Sequence, residues 1–303
     1  MKKITCFIIA ILILIPSQCY GFWVWSPKTA KWSNPAYRNA KTPEGQFEWA
    51  MGFFQNENYK RAVSPLRKIM KRFPESSFAP EAEFHLAVCY EKLKNPYKAF
   101  KIYQNVIDKY PLNKRLDEIV EKQYLIGEKF LNLRNYDLAK KIFDQVLVNA
   151  PYSKVSDVVQ YKVGLCQLRM RKYKDASEEF EYLIENYGFS PYVDDATYQI
   201  GLCSFKISSA VKDYDVSLID KAIDDLEYFL RRFKTSVYVS QSESLLNKLK
   251  HKKAERLFNI AYFYEKQKKP VAAIKYYEQI VYSFNKTSWA KKAGPRLKQL
   301  RSI

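Results

Sequence analysis

One residue of this chain is placed for a defined covalent modification. Cys19 lies in the polar stretch Pro16-Ser17-Gln18-Cys19-Tyr20-Gly21, behind a basic start (Lys2, Lys3) and an unbroken apolar run from Phe7 to Ile15. A cysteine at the end of an export leader is a site for lipid attachment, and one membrane-inserted group there would tether a soluble body by its end. A lipoprotein leader carries a small residue directly before that cysteine, and here the residue is Gln18. Cleavage after Gly21, leaving Phe22 as the first mature residue, is the competing outcome. The apolar run falls far short of the roughly 20 residues that span a bilayer. Residues 1–21 therefore read as a secretory signal, and the remainder as an exported chain with no membrane-spanning helix.

Elsewhere the chemistry-bearing residues form no constellation. Cys89, Cys166 and Cys203 each follow a small helix residue by two positions, which gives all three one structural slot. A small apolar filler suits that slot. Equivalent positions in neighbouring units lie beyond the roughly 7 Å that a disulfide bridges. With only His85 and His251 to join them, no zinc site is expected. The acidic pair Asp194-Asp195 falls in the first turn of a helix, where capping explains it. There is no phosphate-cradling glycine loop, nucleophile elbow or HExxH motif. No catalytic residue, metal or cofactor is expected, and the chain reads as a non-enzyme.

What the sequence does repeat is a frame for helix pairs. Small residues recur at Ala50, Ala87, Gly127, Gly164, Gly201 and Ala261. An aromatic stands three before each: Phe47, Phe84, Tyr124, Tyr161, Tyr198 and Phe258. Alanines follow at Ala62, Ala99, Ala139, Ala176 and Ala273, and in the fifth copy at Ala222 after extra residues. Four further on comes a large side chain (Leu66, Tyr103, Phe143, Phe180, Leu226, Tyr277), and Pro74, Pro111 and Pro151 close the first three units. This is the spacing of tetratricopeptide repeats. Small residues on facing helices let backbones approach toward the lower end of the roughly 8–10 Å range, and the large residue fills the groove beside that contact. Scarce glycine (8 residues), 47% hydrophobic residues and no persistent alternation exclude a β body. The fold expected is all-α: a tetratricopeptide-repeat superhelix of about six helix pairs, without sheet.

The expected organisation is a signal at 1–21 and an extended strap at 22–42 holding three of the five tryptophans. N-terminal repeats one to four follow at 43–190, and C-terminal repeats five and six at 191–303. The last region carries an insert at Ser208 to Asp220, a separate amphipathic segment at Val237 to Lys250, and a closing helix from near Trp289 that Gly294-Pro295 would interrupt. Net charge is +19, with basic clusters at Lys248–Arg256 and Lys286–Arg301. In an exported chain such charge points to lipid head groups, wall polymers or an acidic protein rather than to nucleic acid. The six aromatics have two readings: an exposed stripe that would hold an extended peptide, or rings packed between repeats.

Two segments go beyond a generic repeat. Tyr59-Lys60-Arg61-Ala62, followed by Lys71-Arg72-Phe73-Pro74-Glu75-Ser76-Ser77-Phe78-Ala79-Pro80-Glu81-Ala82, resembles a junction of the BamD family of the outer-membrane β-barrel assembly machinery. The last repeat, with Ala261-Tyr262-Phe263-Tyr264 and Val271-Ala272-Ala273-Ile274, is similar as well. The resemblance implies a non-enzymatic adaptor at the periplasmic face of the outer membrane, or in the soluble periplasm. Its partners would be unfolded outer-membrane proteins and the central barrel-assembly subunit, its membrane contact peripheral or through a lipid on Cys19, with no nucleic acid. Carried over by position, Phe47, Met51, Phe54, Phe84, Val88 and Tyr124 would face substrate peptides. Tyr262, Lys266, Lys291 and Arg296 would face the partner subunit. A scaffold for cell-wall, division or secretion machinery is the alternative.

Overall fold

The computed structural model describes residues 24–26, 31–33, 41–210 and 216–302. The signal segment, Cys19 and most of the strap lie outside these residues. Within the strap, β1 (Val24–Ser26) and β2 (Lys31–Ser33) pair antiparallel with Trp25 opposite Trp32. This short ribbon corrects the expectation of a chain without sheet. β-branched and aromatic residues near Pro27 favour extended backbone, and a ribbon satisfies its amides.

Everything else described is helical. The compact units divide at Leu116 and Asp117. The first unit holds α1 (Pro43–Gln55), α2 (Tyr59–Arg72), α3 (Ala79–Lys92) and α4 (Pro96–Lys109). The second begins with α5 (Leu116–Asn132), α6 (Tyr136–Asn149), α7 (Ser156–Arg169) and α8 (Tyr173–Asn186). It continues with α9 (Val193–Ala210), α10 (Ser217–Arg232), α11 (Val239–Lys266), α12 (Pro270–Ser283) and α13 (Ser288–Arg301). The expected helix pairs are all present, so the fold is an all-α tetratricopeptide-repeat fold.

In five of the six pairs the turn is short because one residue serves two helices. After α3, Lys94 adopts φ 59° and donates its amide to Glu91, while Asn95 donates to the Tyr90 carbonyl. That is a Schellman closure. Asn95 then caps α4, its side chain accepting the Lys98 amide at 3.3 Å. Glu57, Arg134, Arg171 and Lys268 repeat the left-handed position at φ 55–62°. Asn58 and Asn135 repeat the cap, whereas Lys172 and Lys269 stand there without a capping side chain. Lys172 has nearly the backbone of Asn135 (φ −85°, ψ 70° against −87°, 73°). Lys172→Asn is therefore expected to stabilise the second unit by about 1 kcal/mol, read as a higher melting temperature.

The core is a series of size-matched contacts. Ala62, Ala99, Ala139, Ala176, Ala222 and Ala273 are all fully buried, as are the large residues four positions on. Where the small residue of the first helix is glycine, its partner's side chain lies directly on the backbone. A Cβ added at Gly164 would meet Phe180 Cε1 at 2.5 Å, and one at Gly201 would meet Leu226 Cδ2 at 2.7 Å. Cys89, Cys166 and Cys203 are free and fully buried. Burial pushes each thiol up to about 12.

Two helices run longer than their spacing suggests. The expected separate segment at Val237 to Lys250 is continuous with the first helix of the last repeat, giving the 28-residue α11. Leu249-Lys250-His251-Lys252-Lys253-Ala254 contains no glycine, proline or capping residue to stop it. Gly294-Pro295 likewise does not interrupt α13, which runs through both. Proline there removes one ladder hydrogen bond, and Ala290, Ala293 and Leu297 stay buried across it.

Candidate functional site

Four rings of the aromatic series meet the large residue of their own pair. Phe84 lies 5.8 Å from Tyr103, Tyr124 6.2 Å from Phe143, Tyr161 5.6 Å from Phe180, and Phe258 5.5 Å from Tyr277. Most are also covered from the junction leading into the next repeat. Phe47 meets Phe78 at 5.5 Å, the Arg115 guanidinium lies 4.7 Å over Phe84, and Tyr161 stacks on Tyr192 at 5.1 Å. Tyr198 stacks on Tyr238 at 4.2 Å and 5°, and Phe258 meets Trp289 at 5.1 Å. Offset or tilted rings at such separations are core contacts. The packed alternative therefore describes Phe84 (3% exposed), Tyr161 and Tyr198. Phe84 and Val88, taken above as peptide-facing, are buried, and this corrects their place in a surface site.

Phe47, Met51 and Phe54 differ. They are half-buried on α1, and the rings of Phe47 and Phe54 meet His85 of α3. Phe54 stands edge-on to the His85 ring at 4.8 Å, Phe47 lies 6.0 Å from it, and Tyr59 closes on Phe54 at 5.5 Å. His85 also faces Glu81, at 3.9 Å. The result is a partly open aromatic box around one imidazole. The residue types at positions 47, 51 and 54 pointed to it, but His85 carried no recognisable motif. Tyr124 belongs to the second unit, half-buried against Phe143.

The second candidate surface is in the last repeat. Tyr262 is exposed, with the Lys266 ammonium 5.3 Å and the Arg296 guanidinium 4.8 Å from its ring. Cations at these distances are attracted by the ring face. Arg296 donates to Glu265 at 2.7 Å, and the Tyr277 hydroxyl donates to the other oxygen of that carboxylate at 2.7 Å. The Tyr277 hydroxyl is held above its usual range by burial, with Glu265 adding to the shift. Tyr264 stacks on Tyr276 beside them at 5.8 Å and 4°. Three of the four residues expected at a partner interface thus meet. Lys291 is exposed on α13 with no ion pair or ring contact to them among the described residues.

The charged clusters resolve in opposite ways. Lys250 pairs with Glu227 at 2.8 Å, Lys253 pairs with Asp220, and Lys252 donates to the Ser208 carbonyl at 2.9 Å. These bonds pin α11 to α9 and α10, so the first cluster is not a free cationic patch. Burial lowers the Lys252 ammonium from its ordinary range. In the second cluster Arg301 pairs with Glu278, while Lys286, Lys291, Lys292 and Lys298 are exposed. Asp195 does more than sit in a first turn, because it accepts the Tyr238 hydroxyl of the next junction at 2.7 Å.

Buried polar residues before the rings escaped the sequence reading. Glu83 accepts Lys109 at 3.0 Å, Gln123 accepts Asn149 at 2.9 Å, and Gln160 donates to Glu179 at 2.8 Å. Each pin joins the two helices of one pair and satisfies a group that burial would otherwise leave unpaired. Among the described residues no cluster of three or more His, Cys, Asp or Glu could hold a metal ion, and no helix is long and apolar enough to cross a membrane. The three buried thiols should resist an aqueous thiol reagent at pH 8 until the protein unfolds. Fast native labelling, followed by mass spectrometry, would contradict their placement.

Comparison with known proteins now adds a family. The model of the YfiO family, described as outer membrane lipoprotein, matches residues 117–300, more than half of the chain. The chain belongs to this family. The YfiO match begins at the first residue of the second compact unit and takes in the clasped Tyr262. A tetratricopeptide-repeat model matches residues 81–113, covering most of α3 and all of α4. No curated protein sequence matches the chain significantly. Among solved structures, a tetratricopeptide repeat protein from Parabacteroides merdae is 12% identical, covering 86% of this chain and 98% of its own, with TM-score 0.38. Pseudomonas aeruginosa PilF is 16% identical, covering 82% of this chain and 95% of its own, with TM-score 0.30.

Proposed function

We propose that this YfiO-family chain is a non-enzymatic adaptor in the assembly of outer-membrane β-barrel proteins, held at the periplasmic face of that membrane. The family match over residues 117–300 carries the proposal, because it spans the repeat that presents Tyr262. In this reading the second unit meets the central barrel-assembly subunit through Tyr262, Lys266 and Arg296, with Lys291 at the margin. The first unit holds segments of unfolded barrel proteins through Phe47, Met51 and Phe54. Tyr124 is a further substrate contact in the second unit. A lipid on Cys19 provides the anchor, and intact mass of the mature chain tests it against cleavage after Gly21.

The chemistry supports these roles. Aromatic and arginine side chains dominate binding energy at interfaces, and a tyrosine already clasped by two cations loses little side-chain freedom on docking. A box of rings around His85 suits the alternate aromatic side chains of an extended strand. Site-specific photocrosslinking at position 262 in intact cells tests the partner. A crosslink to a large outer-membrane barrel protein is expected, and recovery of a peptidoglycan enzyme instead would favour the wall-scaffold alternative and sink the proposal. For substrates, Phe54→Ser should weaken binding of aromatic-ended barrel peptides about tenfold, a loss of one hot-spot contact. Unchanged affinity in a folded Phe54→Ser variant would remove α1 from the site.

A further inference from the structure

We propose that the loop edge of the second unit, at Tyr152, Phe189 and Val237, rests on the anionic phospholipid surface of the membrane. The inference builds on the proposed residence at the outer membrane and specifies which edge faces the lipid. The loops between α6 and α7, α8 and α9, and α10 and α11 each present one large apolar side chain to solvent: Tyr152 is 93% exposed, Phe189 106% and Val237 83%. Single exposed apolar residues are ordinary on any protein. Here they recur at the same junction in three successive repeats.

The edge is also held in place. The Tyr187 hydroxyl donates to the Pro151 carbonyl at 2.8 Å, and Ser190 Oγ donates to Asp157 at 2.8 Å, so the second loop is tied to the first. Tyr238 is tied to Asp195 at the start of α9, which joins the third loop to the second. These bonds fix the loop backbones while the three tips stay in water.

Charge selects the occupant. Lys154 and Lys234 are exposed beside the tips and have no ion pair among the described residues. Of the carboxylates nearby, Asp157 and Asp195 are half-buried and accept hydroxyls, Asp194 is half-buried and accepts the Asp195 amide, and Glu185 is exposed. The edge therefore offers rings and an aliphatic side chain with ammonium groups behind them. That combination suits an anionic bilayer, where rings lodge at the headgroup level and lysines meet phosphate.

The test uses the full chain, produced without lipid, and vesicles of phosphatidylcholine containing about one quarter phosphatidylglycerol. Binding is measured by sedimentation. Replacing Tyr152, Phe189 and Val237 together by serine should weaken binding at least about tenfold, with an unchanged melting temperature because all three are exposed. Lys154→Gln with Lys234→Gln should reduce both the affinity and its sensitivity to salt. Equal binding by the wild type and the serine variant would overturn the proposal, since residues 1–40 are common to both. Loss of the protein crosslink at position 262 in the serine variant, with vesicle binding intact, would overturn it in favour of a protein-docking edge. A chain that binds vesicles through these tips yet crosslinks to a peptidoglycan enzyme would sink the assembly role and leave this edge standing.

Discussion

Gly164→Ala is expected to destabilise the second unit by about 1–2 kcal/mol, although alanine is the better helix former. Alanine in a helix interior gains roughly 0.5–1 kcal/mol over glycine. Against that, its Cβ would lie 2.5 Å from Phe180 Cε1, and Phe180 has no room to retreat because it is fully buried. Overpacking of this kind typically costs about 1–3 kcal/mol. Phe180→Ala should cost about 3–5 kcal/mol, as the loss of a buried ring leaves a cavity. The informative variant combines the two. Once the ring is gone, the added methyl meets no wall, so Gly164→Ala should become stabilising by about 0.5–1 kcal/mol in the Phe180→Ala background. Thermal melts of the four proteins decide it. The same sign in both backgrounds would mean that glycine and ring are not opposed as described.

The second large effect is at Phe84. With 3% exposure, Tyr103 on one side and the Arg115 guanidinium on the other, this ring belongs to the core of the first unit. Phe84→Ala should therefore cost about 3–5 kcal/mol in stability. At a temperature where the variant is folded, peptide affinity should hold. Phe54→Ser, at a half-buried ring, should show the reverse balance: a smaller loss of stability than Phe84→Ala and a clear loss of binding. If Phe84→Ala were nearly neutral in stability and abolished binding, the ring would be surface-exposed and the assignment of the box to α1 and His85 would fail.

Much of the fold is legible because offsets of 12 and 16 residues across a tight turn fix which positions of two antiparallel helices face each other. Ala176 and Phe180 could be assigned to the interface with Gly164 before any coordinates, and Gly127 could be matched with Phe143 in the same way. The turn itself was less visible. Lys94 or Arg171 in a left-handed position carries no glycine signal, and its conformation is imposed by the Schellman bonds that close the helix.

The site was legible only in part. An aromatic three before the small residue sits at the rim of its pair, and local spacing cannot say whether a neighbour will cover it. The cover comes from the junction into the following repeat, as Tyr192 does for Tyr161 and Tyr238 for Tyr198. His85 entered the box on α1 by the same route, across repeats.

By itself, the sequence determined the helix pairs, their order and the small-to-large contacts within each pair, since those depend on separations along one short stretch of chain. Only tertiary structure decided which rings are buried, which lysines are neutralised and which loop tips stay exposed. Lys250 and Lys253 look like a free cationic run until α10 brings Glu227 and Asp220 against them. Burial and pairing are properties of a residue's neighbours, and in a repeat fold many of those neighbours come from the adjacent repeat.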